Sequence, residues 1–370
     1  MSYVAHLASV GSRRKVQRQV IGSRNLHYQR IILSANAKQS RAAVEQRNLI
    51  VPQMRDYDEL GMNQEWVPHL MYFHPRNVAL KSVSTDEYGI RKTSGARTDS
   101  RTALLIGGSS VFGIGATSDS KTIPSLLNTL TKFNWHNLGG RSFTSTQEAI
   151  LLHLTNFKRI DGPIIVMSGI NNLILSLMAG SFSPMYGAIF YQRLFEQQMK
   201  SAAVGNRALA RQLIAGLCEK FGLSKKSNTQ SASHTPSTKA ESYEAMLTVF
   251  ERDCEYLQML AKRNNTTATF VMQPFIPWLN KSLSPEEINL FALLDQEVES
   301  FLRILIALAE HKAQYARDVE AICANVGLKF LDLNIASEFQ QPEWLFVDRA
   351  HLTDAGYATI AKLLVRDLSL

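Results

Sequence analysis

From residue 102 to the end of the chain, short runs of β-forming residues alternate with helical stretches, and this alternation limits the possible folds most strongly. It is typical of an α/β domain, because parallel strands must be joined by long crossovers that are usually helical. Five such strands predict a flavodoxin-like three-layer α/β/α sandwich with a five-stranded parallel sheet, whose functional groups follow the carboxyl ends of the strands. The predicted strands are Thr102–Ile106, Asn134–Leu138, Pro163–Ser168, Thr267–Gln273 and Leu328–Leu333.

Helices are predicted between these strands from capping signals. The longest covers residues 284–325, where Ser284, Pro285 and Glu287 supply an N-cap, a first-turn proline and a capping-box acid. The other helices are predicted to begin near Asp119, Ser145 and Thr353.

A helical insertion at about residues 185–263 separates the third and fourth predicted strands. Its helical parts, 185–221 and 241–263, flank a Ser/Thr-rich stretch at 224–242 that has almost no apolar side chain. Such a composition cannot bury a core, so a mobile loop is predicted there. The helices are either a cap over the site or a surface pair without substrate contact. Residues 1–98 are predicted to be a basic extension and packing segment, and residues 99–370 the main domain.

The composition excludes several classes of protein. Of 370 residues, 45% are apolar and 19% charged, which is the balance of a folded globular chain and not of a disordered, collagen-like or coiled-coil one. No apolar run approaches the roughly 20 residues of a membrane span, and the N-terminus lacks the charge order of a secretory signal. A cytoplasmic protein is therefore predicted. The three cysteines lack the spacing of a zinc site or disulfide framework and are predicted to be buried thiols: Cys218, Cys254 and Cys323.

The net charge of +8 is concentrated at the N-terminus. Residues 1–48 contain nine Lys or Arg, from Arg13 to Arg47, against one acid, Glu45, and the remainder is neutral. A basic arm could contact phosphates or anionic lipid. We favour a solvated, partly helical extension. Aromatic residues that could stack on bases are sparse in it, so nucleic-acid binding is not expected.

A glycine-rich turn, GGSSVFGIG at residues 107–115, follows the first strand. Phosphate loops also lie between a strand and a helix, but this turn has neither GxGxxG nor Gly-Lys-Ser/Thr. A serine at the carboxyl end of a strand, among glycines that let substrate approach the backbone, is instead placed as a nucleophile. Ser109 is the candidate.

Asp348 and His351 lie directly before the last predicted helix. A serine hydroxyl needs a base to accept its proton, and that base needs an acceptor for its other ring nitrogen. A spacing of three residues on a short turn lets Asp348 reach Nδ1 of His351 while Nε2 points at Ser109. A loop histidine that caps a helix is the alternative for this short pattern.

The second and third strands end in segments suited to binding an oxyanion. Residues 139–145, GGRSFTS, follow the second strand, and residues 169–172, GINN, follow the third. Acyl transfer develops a negative oxygen that backbone N–H groups and an asparagine amide stabilise. Read alone, each segment is better explained as an ordinary turn.

In this order and at these strand ends, the four segments resemble the conserved blocks of the SGNH (GDSL-type) hydrolase superfamily, over roughly residues 99–370. The resemblance implies a nucleophile, base and acid at Ser109, His351 and Asp348. It also implies an oxyanion hole formed by the N–H groups of Ser109 and Ser142 and the side chain of Asn171, without metal or cofactor. The second-block pattern NxGxxGxxSxQ is matched by Asn137, Gly139, Ser142, Ser145 and Gln147.

Three positions depart from the family pattern. Gly108 replaces the Asp before the nucleophile, Ser142 replaces a second-block glycine, and Asn172 replaces the third-block Asp. None of these changes removes a catalytic group. At position 142 the expected donor is the backbone N–H, which a serine also has. Gly108, Gly140 and Asn172 are predicted to contact the substrate.

These residues predict a serine-dependent ester hydrolase or acyltransferase that works through an acyl-serine intermediate. A small-molecule or glycan O-acetyl ester is the first substrate expected, because the family includes carbohydrate esterases and the chain has no extended apolar segment typical of an interfacial lipase. The alternative is a non-catalytic module that binds a glycan or a partner on the same scaffold, since fold alone does not guarantee activity.

Overall fold

The computed structural model describes residues 41–96, 100–155, 157–179, 181–188, 238–295 and 299–370. The strands of its main sheet are β1 (Arg101–Gly107), β2 (Phe133–Gly139), β3 (Ile164–Ser168), β4 (Ala268–Met272) and β5 (Lys329–Asp332). All neighbours are parallel, in the order β2-β1-β3-β4-β5. This is the flavodoxin-like order, in which the chain reverses direction across the sheet between β1 and β3. The predicted fold class is confirmed.

The helices connect and cover these strands. They are α1 (Arg41–Ile50), α2 (Met54–Met62), α3 (Ser109–Phe112), α4 (Ile123–Leu130), α5 (Ser145–Thr155), α6 (Ile170–Met178), α7 (Lys239–Arg263), α8 (Pro285–Asp295), α9 (Glu299–Val326) and α10 (Asp354–Leu368). Short 3-10 turns lie at Asp119–Lys121, Ile276–Trp278, Leu333–Ile335 and Ser337–Phe339.

Helices pack on both faces of the sheet. On one face, Ala103 and Leu105 of β1 share a core with Ile123 of α4 and Tyr357 of α10. On the other face, the ring of Phe250 in α7 meets Phe270 of β4 edge to face, with centroids 5.0 Å apart. β3 is buried along its whole length, which explains why it is apolar from Ile164 to Met167.

Two predicted helix boundaries differ from the structure. The helix predicted over 284–325 is two helices, α8 and α9, on either side of residues 296–298, which lie outside the described residues. Its predicted start is confirmed: Ser284 N donates to Glu287 Oε2 at 3.0 Å, and Glu287 N donates to Ser284 Oγ at 3.3 Å. The helix predicted near Asp119 begins at Ile123, after a 3-10 turn.

Most of the predicted insertion, residues 189–237, lies outside the described residues. At its start, residues 185–188 belong to a small antiparallel ribbon of Phe182–Ser183 with Gly187–Ala188 and not to a helix. At its end, α7 begins at Lys239, inside the loop predicted over 224–242, because Thr238 and Glu241 form a capping box there.

Residues 41–96 pack onto the main sheet, since Val51, Met54 and Tyr57 lie in the same core as Leu105. Arg47, assigned above to a solvated arm, is instead buried and forms an ion pair with Asp58. A buried guanidinium needs such a partner to offset its desolvation. All described residues belong to one compact unit, and the predicted boundary near residue 98 stays a prediction.

Two further observations concern the described residues. None of their helices has both the length and the apolar character needed to cross a bilayer. Cys254 and Cys323 are buried free thiols, as predicted, whereas Cys218 and the basic residues before position 41 lie outside the described part of the chain.

Candidate active site

The turn after β1 presents Ser109 at the carboxyl edge of the sheet. β1 ends at Gly107, where a Cβ atom would lie only 2.1 Å from the carbonyl oxygen of Met167, so no other residue fits there. Ser109 is the first residue of α3 and is partly exposed, whereas its neighbour Ser110 is fully buried. Of the two adjacent serines, only Ser109 therefore offers its hydroxyl to a ligand.

The structure brings Ser109, His351 and Asp348 together across the fold. Ser109 Oγ lies 2.8 Å from His351 Nε2, and His351 Nδ1 lies 2.6 Å from Asp348 Oδ2. A carboxylate at Nδ1 favours the tautomer with its proton on that nitrogen and leaves Nε2 free to accept the proton of Ser109.

The surroundings of Asp348 lower the pKa of its carboxyl and so favour the ionised form. Burial would raise the pKa of its carboxyl, but the adjacent His351 ring and the N–H groups of Ala350 and His351 outweigh burial and lower the pKa. Both N–H groups donate to Oδ1 at 2.8 Å, so the turn that carries the residues also fixes the carboxylate. The lowered pKa keeps this group negatively charged at neutral pH.

A buried hydroxyl joins the turn after β1 to the turn that carries His351, and the sequence did not reveal it. Ser110 Oγ donates to the carbonyl of Ala350 at 3.1 Å and accepts from Gln273 Nε2 at 3.2 Å. Gln273 follows β4, so the segments after β1 and β4 meet the turn before α10 here. Only its place at the end of a predicted strand could have indicated Gln273.

The backbone N–H groups of the loop after β2 differ in whether they have an acceptor. The N–H of Gly140 donates to Gly107 O at 2.9 Å, and that of Arg141 donates to His74 Nε2 at 3.4 Å. Phe143 N donates to Gly140 O at 3.3 Å. Within the described residues, the N–H of Ser142 has no hydrogen-bond acceptor, and Ser142 is exposed with a left-handed φ of 55°.

Asn171 lies beside the turn after β1, at the start of α6. Its Nδ2 donates one hydrogen to Phe143 O at 2.9 Å, which leaves the second hydrogen of the amide available. A Cβ atom on Gly108 would lie 3.2 Å from this nitrogen, with no other heavy atom within 4 Å. The missing side chain at Gly108 therefore leaves open space next to the Asn171 amide.

Two of the predicted substrate contacts are turned into the protein. Asn172 is buried; its Oδ1 accepts from Ser145 N at 2.9 Å and its Nδ2 donates to Ser145 Oγ at 2.7 Å. Gly140 is also buried, and a Cβ there would lie 2.2 Å from the Phe143 ring. Asn172 thus braces the loop after β2, and Gly140 fits against Phe143 where only hydrogen is tolerated.

A buried acid lies behind the site. Glu148 of α5 accepts from Ser168 Oγ at 2.6 Å through Oε1, while its Oε2 has no hydrogen-bond partner among the described residues. Burial raises the pKa of Glu148 to about 8, outweighing the Ser168 hydrogen bond, and the nearby Asp253 raises it further. Glu148 is therefore mostly protonated at neutral pH.

No group of three or more metal-binding side chains occurs in the described ranges.

The sheet has the flavodoxin-like strand order, and the segments that resemble the SGNH/GDSL blocks contact one another, Asn171 with Phe143 and Ser109 with His351. No protein-family model and no curated protein matches the chain. Solved structures similar to it include the acetyl xylan esterase AlAXEase (10% identity, TM-score 0.37, covering 72% of this chain and 99% of that chain). A catalytic mutant of Axe2, an acetylxylan esterase from Geobacillus stearothermophilus, is 14% identical (TM-score 0.36; 75% and 96% covered). A protein from Desulfitobacterium hafniense assigned to the lipolytic G-D-S-L family is 11% identical (TM-score 0.34; 72% and 98% covered).

Proposed function

We propose that this protein is a serine-dependent ester hydrolase or acyltransferase. The observation that carries the proposal is the hydrogen-bonded series from Asp348 through His351 to Ser109, with distances of 2.6 and 2.8 Å. An ionised acid, an imidazole and a partly exposed serine in this order form the arrangement that activates a hydroxyl for attack on an acyl carbon.

In the first half of the reaction, Ser109 Oγ attacks the carbonyl carbon of the ester and its proton passes to His351 Nε2. Asp348 stabilises the imidazolium that forms. The tetrahedral intermediate then collapses, and the leaving alcohol takes the proton from His351. In the second half, His351 takes the proton of water or of an acceptor hydroxyl, whose oxygen attacks the acyl-serine. The bond from the acyl carbon to Ser109 Oγ then breaks, Oγ takes the proton back from His351, and the product is a free acid or a new ester respectively.

The oxyanion of each tetrahedral intermediate would be held by three donors: the N–H groups of Ser109 and Ser142 and Nδ2 of Asn171. The free donor at Ser142 supports its assignment over Gly140, whose N–H is already bonded to Gly107 O. Preorganised donors of this kind act on charge that exists only in the transition state.

The substrate proposed is an O-acetyl ester, with a carbohydrate as the alcohol.

The first test is labelling with a fluorophosphonate, which reacts with an activated serine. Wild type should be labelled, Ser109→Ala should not, and Ser110→Ala should keep the label because its hydroxyl is buried and bonded to Ala350. Labelling that persists in Ser109→Ala would refute the nucleophile, and no labelling of wild type would favour the non-catalytic binding module.

A panel of p-nitrophenyl acetate, butyrate and longer esters would then identify the acyl group. Acetylated xylan and free acetylated sugars would test the alcohol. An excess of acceptor alcohol separates the two reaction types: a transferase forms a new ester, whereas a hydrolase releases free acid.

A further inference from the structure

The peptide group that carries the free N–H of Ser142 is held from both sides by residues of the N-terminal segment. The peptide before it is anchored because Arg141 N donates to His74 Nε2 at 3.4 Å. The peptide after it is anchored because Tyr72 Oη donates to Ser142 O at 3.2 Å. The peptide between these two anchors is the one whose N–H has no acceptor within the described residues.

The His74 ring is itself held in place by burial, a ring contact and a hydrogen bond. His74 is buried, its ring lies 3.8 Å from the Phe112 ring centroid, and its Nδ1 donates to Gly89 O at 3.2 Å. That hydrogen bond places the proton on Nδ1 and leaves Nε2 as the acceptor that Arg141 N–H needs. Burial, with Arg141 nearby, lowers the pKa of His74 to about 3, so the acceptor persists across the neutral range.

Tyr72 lies in a turn whose backbone is held in an unfavourable conformation. Glu65 and Phe73 form an antiparallel bridge, and the turn between them contains two non-glycine residues in the left-handed region, His69 (φ 70°) and Met71 (φ 72°). Strained conformations persist only where the surrounding structure over-determines them, and they cluster at functional sites.

Aromatic packing connects this turn to the loop after β2. The Tyr72 ring meets Phe143 edge to face, with centroids 5.8 Å apart, and the Phe73 ring lies 5.7 Å from Phe143. Phe143 directly follows Ser142, and its carbonyl oxygen accepts the hydrogen bond from Asn171. Tyr72 therefore packs on the residue that connects these two proposed oxyanion donors.

We infer that Tyr72 and His74 are positioning residues that hold the Ser142 N–H in the oxyanion hole. The inference rests on the proposed function and makes the N-terminal segment a working part of the catalytic site. A purely structural role would change stability alone, whereas positioning changes kcat at constant KM, because the donor acts on the transition state.

The test compares Tyr72→Phe with Tyr243→Phe on p-nitrophenyl acetate. Both variants lose one tyrosine hydroxyl hydrogen bond, but that of Tyr243 goes to Asp318, between α7 and α9. Since misplacement of a catalytic group can cost about 100-fold, Tyr72→Phe should lower kcat by roughly 5- to 50-fold with KM nearly unchanged. Tyr243→Phe should leave both constants as in wild type. An unchanged kcat in Tyr72→Phe, or a rise in KM alone, would overturn the inference.

His74 supplies a second test with an internal rescue. His74→Leu removes the acceptor and should lower kcat, whereas His74→Gln offers an amide oxygen to Arg141 N–H and should recover part of the loss. If both fold and have the same kcat, the hydrogen bond has no positioning role and the inference fails for His74.

Amide hydrogen exchange of the peptide spanning 139–145 separates this inference from the proposed function. Exchange should be faster in Tyr72→Phe and His74→Leu than in wild type and Tyr243→Phe, whether or not the protein hydrolyses esters. Inactivity of wild type towards esters and fluorophosphonates would refute the proposed function, while unchanged exchange in this peptide would refute the anchoring.

Discussion

Replacing Glu148 by glutamine should stabilise the folded protein by an amount that grows with pH. In the folded state the carboxyl keeps its proton up to a pKa of about 8, because it is buried without a cationic partner among the described residues. In the unfolded chain it loses that proton near its ordinary value of 4.5. Between these values the folded state binds more protons, so the contribution of Glu148 to stability falls as pH rises.

The magnitude follows from the shift. At roughly 1.4 kcal/mol per pKa unit, the raised pKa costs roughly 3 kcal/mol of folding free energy at pH 7 and roughly 4 kcal/mol at pH 8, but little at pH 4. Glutamine has no proton to lose and can still accept from Ser168. The NH₂ group of the glutamine would take the place of Oε2, which has no partner among the described residues. The free-energy cost of burying this unpaired NH₂ group does not depend on pH.

The assay is urea unfolding of wild type and Glu148→Gln at pH 5, 6, 7 and 8. The difference in unfolding free energy should increase by about 1 kcal/mol per pH unit over this range. Taking the difference cancels other titrating groups, such as His74, that both proteins share. Glu255→Gln, a change at an exposed acid of α7, controls for the substitution itself. A difference that stays constant with pH would refute the assignment of Glu148 as a buried neutral acid.

Three predictions concern the catalytic groups. Ser109→Ala and His351→Ala should each lower kcat by about 10⁴- to 10⁶-fold with little change in melting temperature, since triad members act as a unit; a much smaller loss in His351→Ala would require another base. Asn171→Ala should lower kcat by about 10²- to 10³-fold at nearly constant KM, and a rise in KM with unchanged kcat would contradict its role as an oxyanion donor. Ser142→Gly should keep or raise kcat and raise the melting temperature, because the left-handed φ of 55° costs a serine roughly 1 kcal/mol; loss of activity would show instead that the hydroxyl itself acts.

Gly140→Ala is not a useful counterpart to Ser142→Gly. Gly140 lies in the same loop, but a loss of activity in Gly140→Ala would not identify its N–H as the backbone donor. The added methyl group would overlap the Phe143 ring, so this variant would be damaged whichever residue is the donor.

Several features of the fold and site could be read from short stretches of sequence. The apolar run of β3, the capping box at Ser284 and the Asp348–His351 turn depend on neighbours within a few residues, so their pattern survives in the linear order. The order of the strand-end segments was enough to propose Ser109 as the nucleophile, because parallel strands bring their carboxyl ends to one edge.

The remaining features depend on contacts between distant parts of the chain. No local pattern indicates that Arg47 is buried against Asp58 or that His74 accepts from Arg141, since each partner was expected in solvent or in a packing segment. The same holds for Glu148, whose pKa is raised by burial.

The sequence by itself determined the fold class and the chemical types at the strand ends, because hydrophobic periodicity, glycine turns and capping signals act over short distances. Only the tertiary structure decided how those groups are used. It placed His351 2.8 Å from a serine 242 residues earlier in the chain and buried Asn172. It bonded the N–H of Gly140 to Gly107 O, while the N–H of Ser142 has no acceptor in the described part of the chain. The physical reason is that hydrogen-bond satisfaction and burial belong to the packed molecule: whether a given N–H is available depends on which distant acceptor packing brings to it.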